Sequence, residues 1–257
     1  TLTLKGTGSF VYTYTGDADT AYANGNYTVN NAGVLNIEAN VSIVASKGVA
    51  GDKFSHALYV VNNGNGGKVN FNSGLVNNDY GYAVRQLSNS DITVNGGEIK
   101  GSRAIWVQLP GNDATVAPQI NLTINGGVLR STGESEEYKL AVYSYNYGND
   151  VSNVNIVVND GIVDGDIALT GGTNKNSVEN ITIYGGQLTD VYSYGDADKA
   201  AKSIVIYGGT FAVDPSAYVA PKHYAIEEND VWTVHPYEVG AIINIDGVKA
   251  VVYSMDN

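Results

Sequence analysis

One short phrase recurs along this chain: apolar, any residue, apolar, Asn or Tyr, Gly, Gly. It reads Ile92-Thr93-Val94-Asn95-Gly96-Gly97 and returns at Leu122–Gly127, Ile181–Gly186 and Ile204–Gly209. Looser copies are Val69-Asn70-Phe71-Asn72-Ser73-Gly74, Ile156–Gly161 and Val29-Asn30-Asn31-Ala32-Gly33. Marked by their last glycine, at 33, 74, 97, 127, 161, 186 and 209, the copies lie 41, 23, 30, 34, 25 and 23 residues apart. A unit this short cannot bury its own apolar face, so neighbours must stack into a solenoid. The step of 41 reads as two coils, one poorly marked.

Each unit divides into a strand such as Ile92–Asn95, a Gly-Gly corner, a short strand such as Glu98–Lys100 and a third strand such as Ala104–Val107, which makes a three-sided coil. Strand alternation puts Ile92 and Val94, Leu122 and Ile124, Ile156 and Val158, Ile181 and Ile183, and Ile204 and Ile206 on one face. Thr93, Thr123 and Thr182 take the other, so stacked coils line an aliphatic interior. At the corner, Asn72, Asn95, Asn125 and Asn159 fall in register, followed by Tyr184 and Tyr207. With coils about 4.8 Å apart, this predicts an amide ladder that gives way to stacked tyrosines. These six residues are therefore assigned to structure, and the paired glycines to a corner that needs positive φ. No helix-forming segment follows a Gly-Gly, which argues against a phosphate-cradling loop.

Composition agrees. The chain of 257 residues carries 31 Gly, 29 Asn and 19 Tyr, a mixture that favours turns and pleated strands over helices. With 14 Lys+Arg against 26 Asp+Glu, its formal charge of −12 argues against nucleic acid as a partner. No apolar run is long enough for a membrane-spanning helix. Zero cysteines exclude disulfides, a thiol nucleophile and thiolate metal sites. Thr1 opens the chain with no basic-then-apolar leader behind it, which reads as a mature chain or an excised fragment.

The coils resemble the right-handed, single-stranded parallel β-helix of pectate-lyase-like repeat proteins, as found in bacterial surface adhesins and phage tail spikes and fibres. The stretch Tyr207-Gly208-Gly209-Thr210-Phe211, followed by Asp214-Pro215-Ser216-Ala217-Tyr218-Val219 and by Trp232-Thr233-Val234, is similar to the closing coil and cap of such repeats in gut Bacteroidetes and their phages. Glu238-Val239-Gly240 resembles the start of a module that follows those repeats. The resulting expectation is N-terminal lead-in or capping strands over 1–24, β-helix coils over 25–214, a C-terminal cap over 215–236 and a β-hairpin over 237–257 that begins a further module. The hairpin signal is Asp246-Gly247 between Ala241–Ile245 and Val248–Tyr253. The resemblance implies an extracellular place, on a bacterial surface or a virion, and a homotrimer organised by the segment after Tyr237. The fold itself chooses no function.

Candidate chemistry is sparse. Asp164, Asp166 and, one coil later, Asp190 are the carboxylates that stacking brings close enough for glycoside hydrolysis. Asp beside Gly is also ordinary turn chemistry, and no Arg or Lys stands near in the repeat to serve a lyase as base. His56, His223 and His235 lie far apart, and the Asp-x-Asp pairs at 17–19, 164–166 and 196–198 lack the rest of a calcium loop, so no metal or other cofactor is assigned. In the third strand, alignment of Ala57-Leu58-Tyr59, Ala83-Val84-Arg85, Ala104-Ile105-Trp106, Ala141-Val142-Tyr143 and Ile167-Ala168-Leu169 gives a column Tyr59, Arg85, Trp106, Tyr143, Leu169. Three readings stay open for it: buried or loop-covered packing, an oligomer interface, or a platform that stacks on sugar rings. Variable loops at 109–114, 145–150, 171–176 and 195–198 line one edge, and Tyr145 and Tyr147 there suit a neutral glycan. The function expected is a non-enzymatic adhesin or fibre module that binds a glycan or host surface. The alternatives are a polysaccharide-degrading enzyme and a purely structural fibre.

Overall fold

A computed structural model of the chain describes residues 1–12, 27–45, 59–64, 66–87, 89–109, 118–133, 139–146, 153–170, 177–194, 201–245 and 248–254. Most of these residues are in strands, which follow one another in threes where a long strand counts as two. The first coil is β1 (Leu2–Leu4), β2 (Gly8–Tyr12) and β3 (Tyr27–Asn31); the second is β4 (Val34–Ile37), β5 (Val41–Ala45) and β6 (Tyr59–Asn63). Coil three is β7 (Lys68–Phe71) and the long β8 (Leu75–Gln86), and coil four is β9 (Ser90–Val94) and the long β10 (Glu98–Leu109). Then come β11 (Gln119–Ile124), β12 (Val128–Ser131) and β13 (Leu140–Asn146); β14 (Asn153–Val158), β15 (Ile162–Asp164) and β16 (Asp166–Thr170); and β17 (Val178–Ile183), β18 (Gln187–Leu188) and β19 (Val191–Tyr194). An eighth coil begins with β20 (Ala201–Ile206) and β21 (Gly209–Phe211).

Each strand, or half of a long strand, pairs in parallel with its counterpart one coil on, which builds three walls. Wall one runs β1-β4-β7-β9-β11-β14-β17-β20 without a break. Wall two passes from β2 through β5, the first halves of β8 and β10, β12, β15 and β18 to β21. Wall three runs from β3 through β6, the second halves of β8 and β10, β13 and β16 to β19. Parallel stacking begins at Leu2, which pairs with Leu35 of the second coil.

Wall one alternates buried and half-exposed residues throughout β9, β11, β14 and β17. Its inward residues Val94, Ile124, Val158, Ile183 and Ile206 meet Ile43, Ile99, Leu129, Ile105 and Val142 from the other walls in one continuous aliphatic core. Removal of this surface from water is the main stabilising term, since no coil could retain it alone.

The corner between walls one and two recurs with a residue at positive φ: Gly6, Asn40, Gly74, Gly97, Gly127, Gly161, Gly186 and Gly209. Asn40 occupies it without glycine because a short amide side chain tolerates left-handed backbone. Gly33 lies elsewhere, in the turn between β3 of wall three and β4 of wall one, so the step of 41 is not two coils. From Asn40 to Gly74 the chain makes one coil. The preceding glycine of each pair is required by contact: a Cβ on Gly96, Gly126, Gly185 or Gly208 would stand 2.6–2.9 Å from a carbonyl of the coil before it.

After β21 the direction reverses. A 3-10 turn at Ser216–Tyr218 leads to β22 (His223–Glu228) and β23 (Val231–Pro236), and β23 pairs antiparallel with both β22 and β21. Beyond it, β24 (Glu238–Ile245) and β25 (Val248–Ser254) pair antiparallel as a separate two-stranded sheet. Their connecting residues Asp246 and Gly247 lie outside the described residues.

Candidate functional site

The corner residues stack as rungs. Asn95 Nδ2 donates to Asn72 Oδ1 at 2.7 Å, Asn125 to Asn95 at 2.8 Å and Asn159 to Asn125 at 2.7 Å. Asn72 continues the ladder to Glu38 Oε1. In the next two coils the rings of Tyr184 and Tyr207 stack at 5.2 Å and 11°, and His223 meets Tyr207 edge-on. A second amide ladder, with no counterpart in the repeated phrase, runs up the outer side of wall one from Asp91 through Asn121 and Asn155 to Asn180. The Asn121 amide and the Lys68 ammonium beside Asp91 hold its carboxyl below the usual range. A third set is internal: Asn31, Asn63 and Gln86 are buried in register at the corner between walls three and one. There Asn63 donates to the Gly67 and Asp91 carbonyls, and Gln86 to those of Ser90 and Asn121. Buried amides thus satisfy the carbonyl of the turn at Gly67 and carbonyls where the chain enters wall one.

The candidate carboxylates separate into two groups. Asp164 stands in register with Arg130 on the outer side of wall two, where Arg130 joins it to Glu98 and Lys139 Nζ lies 3.8 Å away. Basic residues therefore do stand beside a candidate acid, contrary to the expectation from the repeat. Coil register brings Arg130 there from the preceding coil, and Lys139 arrives from outside the repeated phrase. Asp166 and Asp190 occupy the next corner in successive coils, one residue before the register pair Ile167 and Val191, and the Ile167 N–H donates to the Asp190 carbonyl. Burial pushes the Asp190 carboxyl up, opposed by the Val191 N–H that its Oδ1 accepts.

Wall three carries the aromatic surface, in a register that corrects the expected column. Asn62, Arg85, Trp106, Tyr143, Ala168 and Tyr192 are the residues in line. Tyr59 pairs instead with Tyr27, three positions away, and Leu169 lies one position along, buried in the core. The column faces away from the aliphatic interior, because Ile105 and Val107, on either side of Trp106, belong to the core. Trp106 is nevertheless only 4% exposed. It forms a second, outer cluster with Tyr82, whose ring meets it edge-on at 5.1 Å, and with Tyr27, Tyr143 and Tyr145. Arg85 lies over the Trp106 ring at 5.9 Å and its Nε donates to Gln108 Oε1 at 2.6 Å. Tyr143 and Tyr145, two residues apart on β13, stack at 5.6 Å and stay half-exposed.

Arg103, Tyr82 and Gln108 belong to this cluster although the sequence pattern does not single them out. At the bend into wall three two consecutive residues turn inward, Ala83 with Val84 and Ala104 with Ile105, so alternation fails for one step. Tyr82 and Arg85, or Arg103 and Trp106, then share the outer side at a spacing of three. Aligning the residue that precedes each Ala is the signal that pairs Tyr82 with Arg103. Tyr147, His56 and the loops at 110–114, 147–150, 171–176 and 195–198 lie outside the described residues.

Among the described residues no group of three His, Asp or Glu is placed to hold a metal ion, and no helix is long and apolar enough to cross a membrane. A scan against protein-family models and searches among curated proteins and solved structures find no match to this chain.

Proposed function

We propose that this chain is a non-enzymatic surface module, an adhesin or fibre segment that projects from a bacterial cell or a virion and binds a glycan or host surface along the outer side of wall three. The observation that carries this reading is the outward row Arg85, Trp106, Tyr143 and Tyr192, with Tyr145 beside it, repeated across successive coils and separate from the aliphatic core. Half-exposed aromatic rings next to a guanidinium are the chemistry that stacks on sugars and donates to their oxygens. Trp106 underlies that surface rather than forming it, since so little of it is exposed.

A right-handed coil is part of the reading, supported by the strong right-hand preference of parallel strand crossovers. So is a capping role for β22 and β23, which lie antiparallel on the last coil where a parallel edge would otherwise stand open. The acidic, cysteine-free composition and the likeness to repeats of gut bacteria and their phages support an extracellular place. A homotrimer joined through the segment after Tyr237 completes the proposal.

One observation favours the enzymatic alternative: Asp166 occupies the same corner one coil before Asp190, a carboxyl that burial makes harder to ionise, and a pair of carboxyls of which one stays protonated is what glycoside hydrolysis uses. Incubation with a panel of bacterial and plant polysaccharides, with bound protein and chain length both measured, separates the readings. Retention without shortening is the expected outcome. Shortening that disappears in Asp166→Asn would replace the module with an enzyme, and neither retention nor shortening would leave a structural fibre. Light scattering on the same samples is expected to give three times the chain mass, and the mass of one chain would remove the trimer.

A further inference from the structure

The chain has three arginines, Arg85, Arg103 and Arg130. Arg130 is an ordinary surface arginine, bridged to the carboxylates of Glu98 and Asp164. Arg103 is held differently. It is only 8% exposed, and its guanidinium lies over the Tyr143 ring at 3.9 Å and over the Tyr82 ring at 4.9 Å. Its hydrogen bond goes from Nη1 to the Tyr82 hydroxyl, a neutral acceptor. No carboxylate pairs with it among the described residues. Burying a cation without a counter-ion is costly, and cation–π contact with two rings offsets only part of that.

Rings over its flat faces leave a guanidinium one way to bind, through the N–H donors at its edge. That planar fork matches the two oxygens of a carboxylate. Beside it, Tyr143 presents a half-exposed ring stacked with the half-exposed ring of Tyr145. We infer that Arg103 is the anchor of a subsite for an acidic sugar, binding the carboxylate of a pyranose ring edge-on while Tyr143 and Tyr145 contact the ring. This rests on the glycan-binding reading above and names its ligand class. It also accounts for a fixed positive group on a chain whose formal charge of −12 repels such a ligand at long range, so that only a short-range fork can hold it.

The test is calorimetry on the full chain with two matched pairs: sialyllactose against lactose, and a galacturonate oligomer against its carboxyl-reduced form. At least one acidic member is expected to bind roughly tenfold or more tightly than its neutral partner, as charge-assisted hydrogen bonds imply. Which pair shows the difference tells a sialic-type acid from a hexuronic one. Arg103→Gln and Arg103→Lys should erase the preference, the lysine because it keeps charge but loses the fork, while Lys68→Gln on wall one should keep it. Because the preference is a ratio measured within one protein, partial destabilisation of a variant does not mimic its loss. Equal affinity for acidic and neutral members would overturn the acidic-sugar subsite and leave the glycan reading standing. No binding of any member would overturn both. Binding of polyglutamate with no binding of the sugars would overturn the subsite in favour of an acidic protein partner.

Discussion

Gly97→Ala is expected to destabilise the protein by about 2–4 kcal/mol, while the same change at Gly6 removes only about 1 kcal/mol. Both residues hold positive φ at the same corner of the coil, +75° and +95°, so both changes carry the left-handed backbone penalty for an L side chain. They differ in what lies around them. A Cβ on Gly97 would stand 2.6 Å from the Gly74 carbonyl oxygen and 2.8 Å from its nitrogen, backbone that cannot move without disturbing the coil before it. A Cβ on Gly6 meets nothing within 4 Å. Urea unfolding followed by tryptophan fluorescence measures the difference. Equal losses at the two sites would mean that conformational preference alone, with no stacking contact, explains the repeated glycines.

Trp106→Ala should cost about 3–5 kcal/mol, the range for deleting a buried aromatic side chain. The expectation follows from an exposure of 4% in a cluster that also contains Tyr82 at 2% and the Arg85 guanidinium. Trp232, in β23, remains as the fluorescent reporter in the variant. A melting temperature unchanged by the substitution would show Trp106 to be a surface group, and the outer cluster would then be an open platform.

Much of this architecture is legible in the repeated phrase alone. Paired glycines mark where each coil turns, and alternation in segments such as Ile92–Val94 and Leu122–Ile124 sorts the aliphatic interior from the outside. The corner rungs are legible for the same reason: Asn72, Asn95, Asn125 and Asn159 hold one position in the phrase, and position within a repeat becomes position along the stack. Gly33 misleads because a glycine after an asparagine looks alike at either corner, whereas Asn40 does the same work as glycine without being one.

Wall three resists for a different reason. Its strands enter through a bend at which alternation slips by one residue, with an irregular register between Gly101 and Arg103 and again between Leu140 and Val142. Inserts of unequal length precede it, so aligning Tyr59 with Arg85 by their Ala-apolar neighbours picks the wrong partner. Position before an Ala pairs Arg103 with Tyr82, but nothing in the repeat shows the second ring, Tyr143, which the next coil lays over its guanidinium. The basic residues around Asp164 are hidden likewise, since Arg130 is 34 residues away in the chain and one strand away in space.

The parallel stack itself is tested most directly by distances between spin labels, for which a chain with no cysteine is well suited. Thr3, Asn36, Asn70, Thr93, Thr123, Val157 and Thr182 stand in one column on the outer side of wall one. Labels at Thr93 and Thr182, three strands apart, should lie roughly 14 Å from each other, and labels at Thr3 and Thr182, six strands apart, roughly 29 Å. Distances that grow by one strand spacing per coil are the predicted result. A Thr3–Thr182 distance equal to or shorter than Thr93–Thr182 would contradict the stack, and with it the surface on wall three.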